Sequence, residues 1–489
     1  MSEQYGMLIG GSETPASDGK TFDSRDPTTG EVWATFAEAT VTDINAAVAA
    51  AQTALNGEWG EMTATARGKC LRRLGDLLAE NSERLGRIET RDTGKMYKET
   101  AWQATYIAEY LHYYAGSADK IQGETLPIDK PDMFAFTHRE PLGVIAAVIP
   151  WNSQLFLSAV KIGPALAAGN TIVLKASEHA PAPLIEFGRL VSQAGIPDGV
   201  VNIVTGHAEP CGRALTTHHG IARIAFTGGP TSARHIIRNS AENFAEVSLE
   251  LGGKSPFIVF DDADLDSAVN GCVAGIFGAS GQSCVAGSRL YLQDGIADAF
   301  LERLVSIARG IKIGDPQDDQ TEMGPLCTTG QLEHIQTQVA LALEEGGRLL
   351  TGGNRPDMPG QFYVPTIIEC PRQDMTIVDT ELFGPVLAVQ RFRDEAHALA
   401  LANDTRHGLA AGIFTRDSAR SLRMSQNVKA GIVWVNTYRA ISPIAAFGGQ
   451  KMSGYGREAG LQAVYDYTRP KTVWMNMSDA PLANPFKPR

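Results

Sequence analysis

The chain has 489 residues, 43% apolar and 20% charged, with a formal net charge of −12. That length exceeds one ordinary core and implies two or three domains, and the composition is globular rather than disordered or fibrous. The acidic balance argues against nucleic acid as a partner, because phosphate binding needs a basic surface.

The N-terminus, MSEQYGMLIGGSETPASDGK, lacks a basic region followed by an apolar one, so no signal peptide is expected. Residues 1–40, rich in Gly, Ser, Thr and Asp, read as turns and edge strands. From Thr42, TDINAAVAAAQTAL opens with a Thr-Asp cap and runs in helix-forming residues. Amphipathic helices continue over 63–120, and a β-rich arm follows at 121–140. Beyond it, GVIAAVIP, NTIVLK, GVVNIVTG and IARIAFTGG are strands separated by segments of helical period such as APAPLIEFGRLVSQAG. This alternation predicts a parallel sheet with helices on both faces. A second α/β series begins near SPFIVFDDAD (255–264). It carries the strands SRLYLQ, GPVLAVQRF and GIVWVN, and helices at 297–309 and 329–345. Gly and Pro clusters at 352–360 and 442–454 read as loops. The apolar run GVIAAVIPW (143–151) falls far short of the ~20 residues that span a bilayer. No membrane partner and a cytoplasmic location are therefore expected. The six cysteines are widely spaced, with no CxxC pair or Cys/His cluster, so neither a disulfide framework nor a metal site is expected.

Several segments carry candidate chemistry. In FGASGQSCVAGSR (277–289), Cys284 sits among small residues that allow close approach to its sulfur, as a thiolate nucleophile needs. Alone, it reads more readily as a small core cysteine. In VSLELGGKSP (247–256), Glu250 interrupts an apolar strand; burial would raise its pKa and suit it to general-base work, whereas an edge strand would turn it to solvent. Asn152, in AAVIPWNSQLF, follows a buried strand where α/β ligand sites form, and its amide could donate to an oxyanion or merely shape a turn. Lys175 and Glu178, in TIVLKASEHAP, could hold a ribose or be solvated surface charges. In IARIAFTGGPTSARHI, Pro230 marks a helix start whose N–H groups could receive a phosphate, although neither GxGxxG nor GxxxxGK[ST] is present. Glu381 and Phe383, in DTELFGPVLAVQ, would alone be loop residues.

Together these segments resemble the aldehyde dehydrogenase superfamily. The match comprises PWN (150–152), LKASE (174–178), FTGG (226–229), LELGGKSP (249–256), GQSCVAGSR (281–289), ELFGPV (381–386) and FGGQKMSGYGRE (447–458), in that order over about residues 20–475. The resemblance implies oxidation of an aldehyde to a carboxylic acid with NAD(P)⁺ through a thioester. It makes Cys284 the nucleophile, Glu250 the base for the deacylating water, Asn152 the oxyanion donor, and Lys161 and Glu458 a proton relay. It places Trp151, Lys175, Glu178, Thr227, Gly228, Gly229, Gly252, Glu381 and Phe383 around the cofactor. It lines a substrate tunnel with Ser153, Phe156, Leu157, Val160, Gly278, Ser283, Val285, Arg439, Ile441 and Phe447.

Two departures stand out. Gly229 replaces the family's usual Ser, removing a side-chain phosphate contact, and Ala176 replaces a common Pro. Glu178 would repel a 2′-phosphate, which favours NAD⁺ and leaves NADP⁺ as the alternative. Gly278 stands where many members carry an aromatic and suggests a roomier pocket. Arg439 could pair with a substrate carboxylate, although a solvated rim arginine is the plainer reading.

The implied fold is α/β, aldehyde dehydrogenase-like. A Rossmann-like cofactor domain takes 1–120 and 142–250, and an α/β catalytic domain takes 251–440. An oligomerisation arm and tail take 121–141 and 468–489, and 441–467 returns to the cofactor domain. A homodimer or homotetramer is expected by analogy. A CoA-acylating enzyme and a non-catalytic nucleotide-binding relative are the alternatives; Glu250 argues against the first, and intact Cys284, Glu250 and Asn152 against the second.

Overall fold

The structure is a computed structural model and describes residues 3–487. The ends of the expected tail and of the N-terminal segment thus lie outside the described residues.

Two large sheets organise the chain. In the first, five parallel strands run in the spatial order Glu246–Leu251, Ile221–Gly228, Val144–Val148, Thr171–Lys175, Val201–Val204. Val144–Val148 is first in sequence and central in space. The chain winds outward from it in one direction and then the other, leaving a switch point beside it. Antiparallel strands close both edges: Met7–Ile9 and Ser12–Thr14 at one, Gly454–Tyr455 at the other. Alternate residues of each buried strand feed different cores, as a period of two requires. Ile145, Ala147, Ile172 and Leu174 join one hydrophobic cluster, and Val144, Ala146 and Val173 the other.

The second sheet has the order Arg348–Thr351, Thr366–Glu369, Val386–Phe392, Arg289–Gln293, Pro256–Val259, Ala410–Phe414, Ile432–Val435. All neighbours are parallel except the first pair. Phe257, Val259, Leu290 and Leu292 pack on one face, and Ile258 and Tyr291 on the other.

The arm strand Met133–Pro141 pairs antiparallel with Thr468–Asn476 along its whole length and with Thr125–Leu126 on its other side. Trp474, Met475 and Phe134 remain exposed there.

Local signals mostly match the elements. The first long helix is Val41–Leu55, and its cap is Thr40 rather than the Thr42-Asp43 pair. Thr40 Oγ1 accepts from the N–H of Thr42 and Asp43, and Asp43 reaches back to the Thr40 N–H in a capping box. The 442–454 loop ends in a short 3₁₀ turn and the edge strand Gly454–Tyr455 instead of continuing as coil. Among the described residues, no helix is long and apolar enough to cross a membrane, and no group of His, Cys, Asp and Glu could hold a metal ion.

Candidate active site

The two sheets meet end to end. The carboxyl end of the first sheet supplies Asn152, Lys175, Gly229 and Gly252, each just past or at the end of a parallel strand. The amino end of the second supplies Cys284 and Glu381, on the segments leading into Arg289–Gln293 and Val386–Phe392. The crossing is short: strand Glu246–Leu251 ends, Gly252 to Ser255 turn, and Pro256–Val259 begins.

Asn152 lies in the 3₁₀ turn Trp151–Ser153 that starts the buried helix Gln154–Ala167. Its Nδ2 donates to the carbonyl of Gln282 at 3.2 Å, which ties it to the loop bearing Cys284. That loop is tightly folded: Ala279, Ser280 and Gly281 all have positive φ, near 53°, 54° and 72°. Non-glycine residues pay for this conformation, and such strain gathers at functional sites. Gln282 anchors the turn by accepting the Cys327 N–H at 2.8 Å. Gly253 packs under the nucleophile's own peptide; a Cβ there would lie 2.7 Å from the Cys284 carbonyl oxygen.

Cys284 is half-buried, whereas Cys211, Cys272, Cys327 and Cys370 are buried. Burial first, then the charges of Glu381 and Glu250, push its thiol up to about 12; Arg439 and the Val285 N–H pull the other way. The resting sulfur is therefore a thiol that needs a proton acceptor to attack.

Glu250 is the candidate base for the deacylating water. It is 5% exposed, between Thr227 on one neighbouring strand and Gly454 on the other. Neither carboxylate oxygen has a hydrogen-bond partner. Burial raises its pKa to about 8, against the pull of Lys161 and Arg457. Gly448 gives it room, since a Cβ there would sit 2.6 Å from Glu250 Oε1. The solvated edge-strand reading of Glu250 is thus excluded.

Lys161 is fully buried; its Nζ donates to Thr227 Oγ1 at 2.7 Å and contacts Glu458 Oε1. Burial holds it below the usual lysine range. Thr227 therefore spends its hydroxyl on Lys161. Glu458 is fixed by paired backbone hydrogen bonds with Phe447, at 2.6 and 2.7 Å.

The cofactor candidates fall along the strand ends. Lys175 Nζ donates to Glu178 Oε2 at 3.1 Å. Burial opposes ionisation of Glu178, but the charge and hydrogen bond of Lys175 outweigh it and hold its carboxyl below the usual range. Gly229 is the N-cap of helix Pro230–Asn243; no side chain caps that end, and open space surrounds the glycine. Glu381 accepts the Gly253 N–H at 3.0 Å, and burial pushes its carboxyl up to about 7. A Cβ on Gly252 would fall 1.7 Å from Glu381 Oε2, so only glycine admits that carboxylate. Phe383 is held at φ 54° and meets the Trp151 ring edge to face at 5.3 Å between centroids. Together a paired Lys–Glu, an uncapped helix start and a glycine cradle suit a dinucleotide.

The tunnel candidates separate. Phe156 packs edge to face on Tyr110, and Ile441 accepts the Tyr106 hydroxyl at 2.8 Å. Ser283 is half-buried, and Phe447 packs beside Val285 and Cys284. Val160, 4% exposed, belongs to the core of the first sheet and has little surface to offer a substrate. Gly278 does not leave an empty pocket: a Cβ there would meet Arg439 Nη1 at 2.5 Å, so the guanidinium takes the space. Nor is Arg439 a freely solvated rim residue, since Nη1 donates to the Ala274 carbonyl at 3.2 Å and Nη2 lies 3.5 Å from Glu99 Oε1.

Comparison with known proteins agrees with this arrangement. The Aldehyde dehydrogenase family model matches residues 14–473. The chain belongs to the aldehyde dehydrogenase family. It is 54% identical over 487 residues, 99% of each chain, to the (Z)-2-((N-methylformamido)methylene)-5-hydroxybutyrolactone dehydrogenase of Acinetobacter baylyi. The NAD⁺ complex of aldehyde dehydrogenase from Bacillus cereus superposes with a TM-score of 0.96, at 40% identity and covering 97% of each chain. Betaine aldehyde dehydrogenase from Staphylococcus aureus in complex with NAD⁺ gives 0.97, at 37% identity, covering 99% of this chain and 97% of that one. This aldehyde dehydrogenase is an oxidoreductase that converts an aldehyde to a carboxylic acid with NAD(P)⁺.

Motif reading of the aldehyde dehydrogenase missed one wall of the mouth. Helix Tyr97–Ser117 brings Glu99, Gln103, Trp102, Tyr106 and Tyr110 to it. Trp102, Tyr106 and Tyr110 recur every four residues, stacked at 4.9 Å and then edge to face at 5.9 Å. That spacing is a visible helical stripe, but an aromatic stripe usually means core. Arg457, whose charge acts on Glu250, lay inside a quoted motif without an assigned part.

Proposed function

We propose that this enzyme oxidises its aldehyde hydrolytically, with Cys284 as nucleophile, Glu250 as base and Asn152 as oxyanion donor. One observation carries the reading: a buried carboxylate with two unpartnered oxygens, Glu250, whose charge acts on a half-buried cysteine. Such buried, unpartnered carboxylate oxygens call for a task or a ligand.

Cys284 loses its thiol proton to solvent, and the thiolate Sγ bonds to the aldehyde carbon. The oxygen, now negative, is met by Asn152 Nδ2 and the Cys284 N–H. NAD⁺, when bound, supplies the hydride acceptor. The substrate carbon loses its C–H bond with the electron pair, the carbonyl re-forms, and a thioester remains on Cys284. The Glu250 carboxylate then takes a proton from water as that water attacks the thioester; the C–S bond breaks to leave the Cys284 thiolate, the acid departs, and the proton on Glu250 leaves toward Lys161 and Glu458. Lys175 and Glu178 hold the ribose distal to the reacting ring, the Pro230–Asn243 helix start receives phosphate through backbone N–H groups, and Glu381 and Phe383 hold the nicotinamide side. The charge of Glu178 favours NAD⁺ over NADP⁺.

The first sheet, with residues 441–467 returning to it, is the cofactor lobe, and the second the catalytic lobe. The arm at 121–141 with the strand Thr468–Asn476 presents exposed Trp474, Met475 and Phe134, which suits a second copy of the chain and a homodimer or homotetramer. Free cysteines suit a reducing cytoplasm. The Acinetobacter relative is named for a 5-hydroxybutyrolactone. A 5-hydroxy-γ-lactone is the ring-closed form of a 4-oxo acid, so a small oxygen-rich aldehyde is the substrate we carry to this chain.

Glu250→Gln tests the hydrolytic assignment. It should release one equivalent of NADH per active site and then stall, while wild-type turnover needs no coenzyme A. Normal turnover by the variant would refute the role of Glu250, and a strict requirement for coenzyme A would favour acyl transfer instead.

A further inference from the structure

The mouth of the site carries charges that the chemical steps do not use. Arg439 has φ 60°, its Nη1 donates to the Ala274 carbonyl, and its guanidinium lies over Gly278, where a Cβ would come within 2.5 Å of Nη1 and displace it. Its one acidic neighbour, Glu99, is shared. Gln103 Nε2 donates to Glu99 Oε1 at 3.4 Å, and Lys95 Nζ stands 4.0 Å away. Lys95 is itself 2% exposed and donates to Gln103 Oε1 at 2.7 Å and to Ser153 Oγ, beside Asn152, at 2.9 Å. Its other carboxylate, Glu89, is 4.0 Å away, and burial pushes that carboxyl up to about 7. Arg439 and Lys95 thus share Glu99, and neither oxygen of Glu89, the second carboxylate beside Lys95, has a hydrogen-bond partner. A guanidinium offers five donors in a planar fork, and the contacts of Arg439 occupy few of them. The charge of Arg439 also acts on Cys284, so the fork lies within the field of the reacting sulfur.

We propose that Arg439, seated over Gly278, binds the carboxylate of a short aldehyde acid while its aldehyde reaches Cys284. The two carboxylate oxygens of the substrate match the donors of the fork that Arg439 leaves free. This rests on Cys284 being the reacting residue. Gly278 and Arg439 act as one unit, the glycine admitting the arginine that reads the substrate. Glu99 holds the guanidinium in place before the carboxylate arrives.

The test compares kcat/KM for 4-oxobutanoate with that for its methyl ester and for butanal, in wild type, Arg439→Gln and Arg439→Lys. A hydrogen-bonded charge lost from such a site is worth about tenfold to a hundredfold. Arg439→Gln should lose that much on 4-oxobutanoate and less than about threefold on the two uncharged aldehydes; Arg439→Lys should fall between. Equal losses on all three would overturn the proposal, as would a wild type that prefers the ester. A second measurement reads the mouth without chemistry: calorimetric binding of 4-oxobutanoate to Cys284→Ala with NAD⁺ present. Adding Arg439→Gln should weaken that binding by the same factor. Unchanged binding would defeat the role of Arg439 whatever the turnover experiments say of Cys284.

Discussion

The base of the active site and its mouth are made of different material. At the base, strand ends and glycines set the geometry: Glu250 sits in a six-residue strand, and Gly252, Gly253 and Gly448 bring backbone and carboxylates together at distances no side chain would permit. At the mouth, long side chains set it: Glu99, on helix Tyr97–Ser117, meets Lys95 one turn before it and Arg439 from a loop far away in sequence. A base built on backbone fixes the reaction, and a mouth built on side chains can change its preference without disturbing the chemistry beneath.

That contrast makes base variants and mouth variants behave differently. Asn152→Ala removes one oxyanion donor and should lower kcat by about 10²–10³-fold, equally for charged and uncharged aldehydes. A loss confined to carboxylated substrates would move Asn152 from the base to the mouth. A smaller effect comes from pH. Burial raises the Glu250 carboxyl to about 8, and a base works only when ionised. Activity should therefore climb up to about tenfold per pH unit below that value and level off above it, along the same limb for butanal and 4-oxobutanoate. In Glu250→Gln that limb should vanish from the stalled second phase. A limb seen with one substrate only would assign the titration to the mouth, where Glu89 is pushed up to about 7.

The same contrast explains what the sequence could reveal. Strand–helix alternation was legible because buried parallel strands are apolar runs such as VIAAV and TIVLK, and the sheets follow from it. Cys284, Glu250, Asn152 and the Lys175–Glu178 pair could be nominated because each lies in a short contiguous motif, such as PWN or LELGGKSP, and the motifs recur in one order. Glu89, Lys95 and Glu99 were not, because helices Ser82–Thr93 and Tyr97–Ser117 and the short link between them read as ordinary amphipathic elements with their charges toward solvent. Gly278 was half legible: a missing side chain announces space, but only the fold shows that Arg439 enters it. Val160 was hard to place for the converse reason, since a helix buried nearly all round gives no sign of which apolar residue faces a substrate.

The central claim, an acyl group carried on one sulfur beside a buried base, is reached most directly by mass spectrometry of Glu250→Gln quenched after mixing with butanal and NAD⁺. The account predicts one butyryl adduct per chain, on the peptide containing Cys284 and absent without NAD⁺. No adduct, or one on any of the other five cysteines, would contradict it.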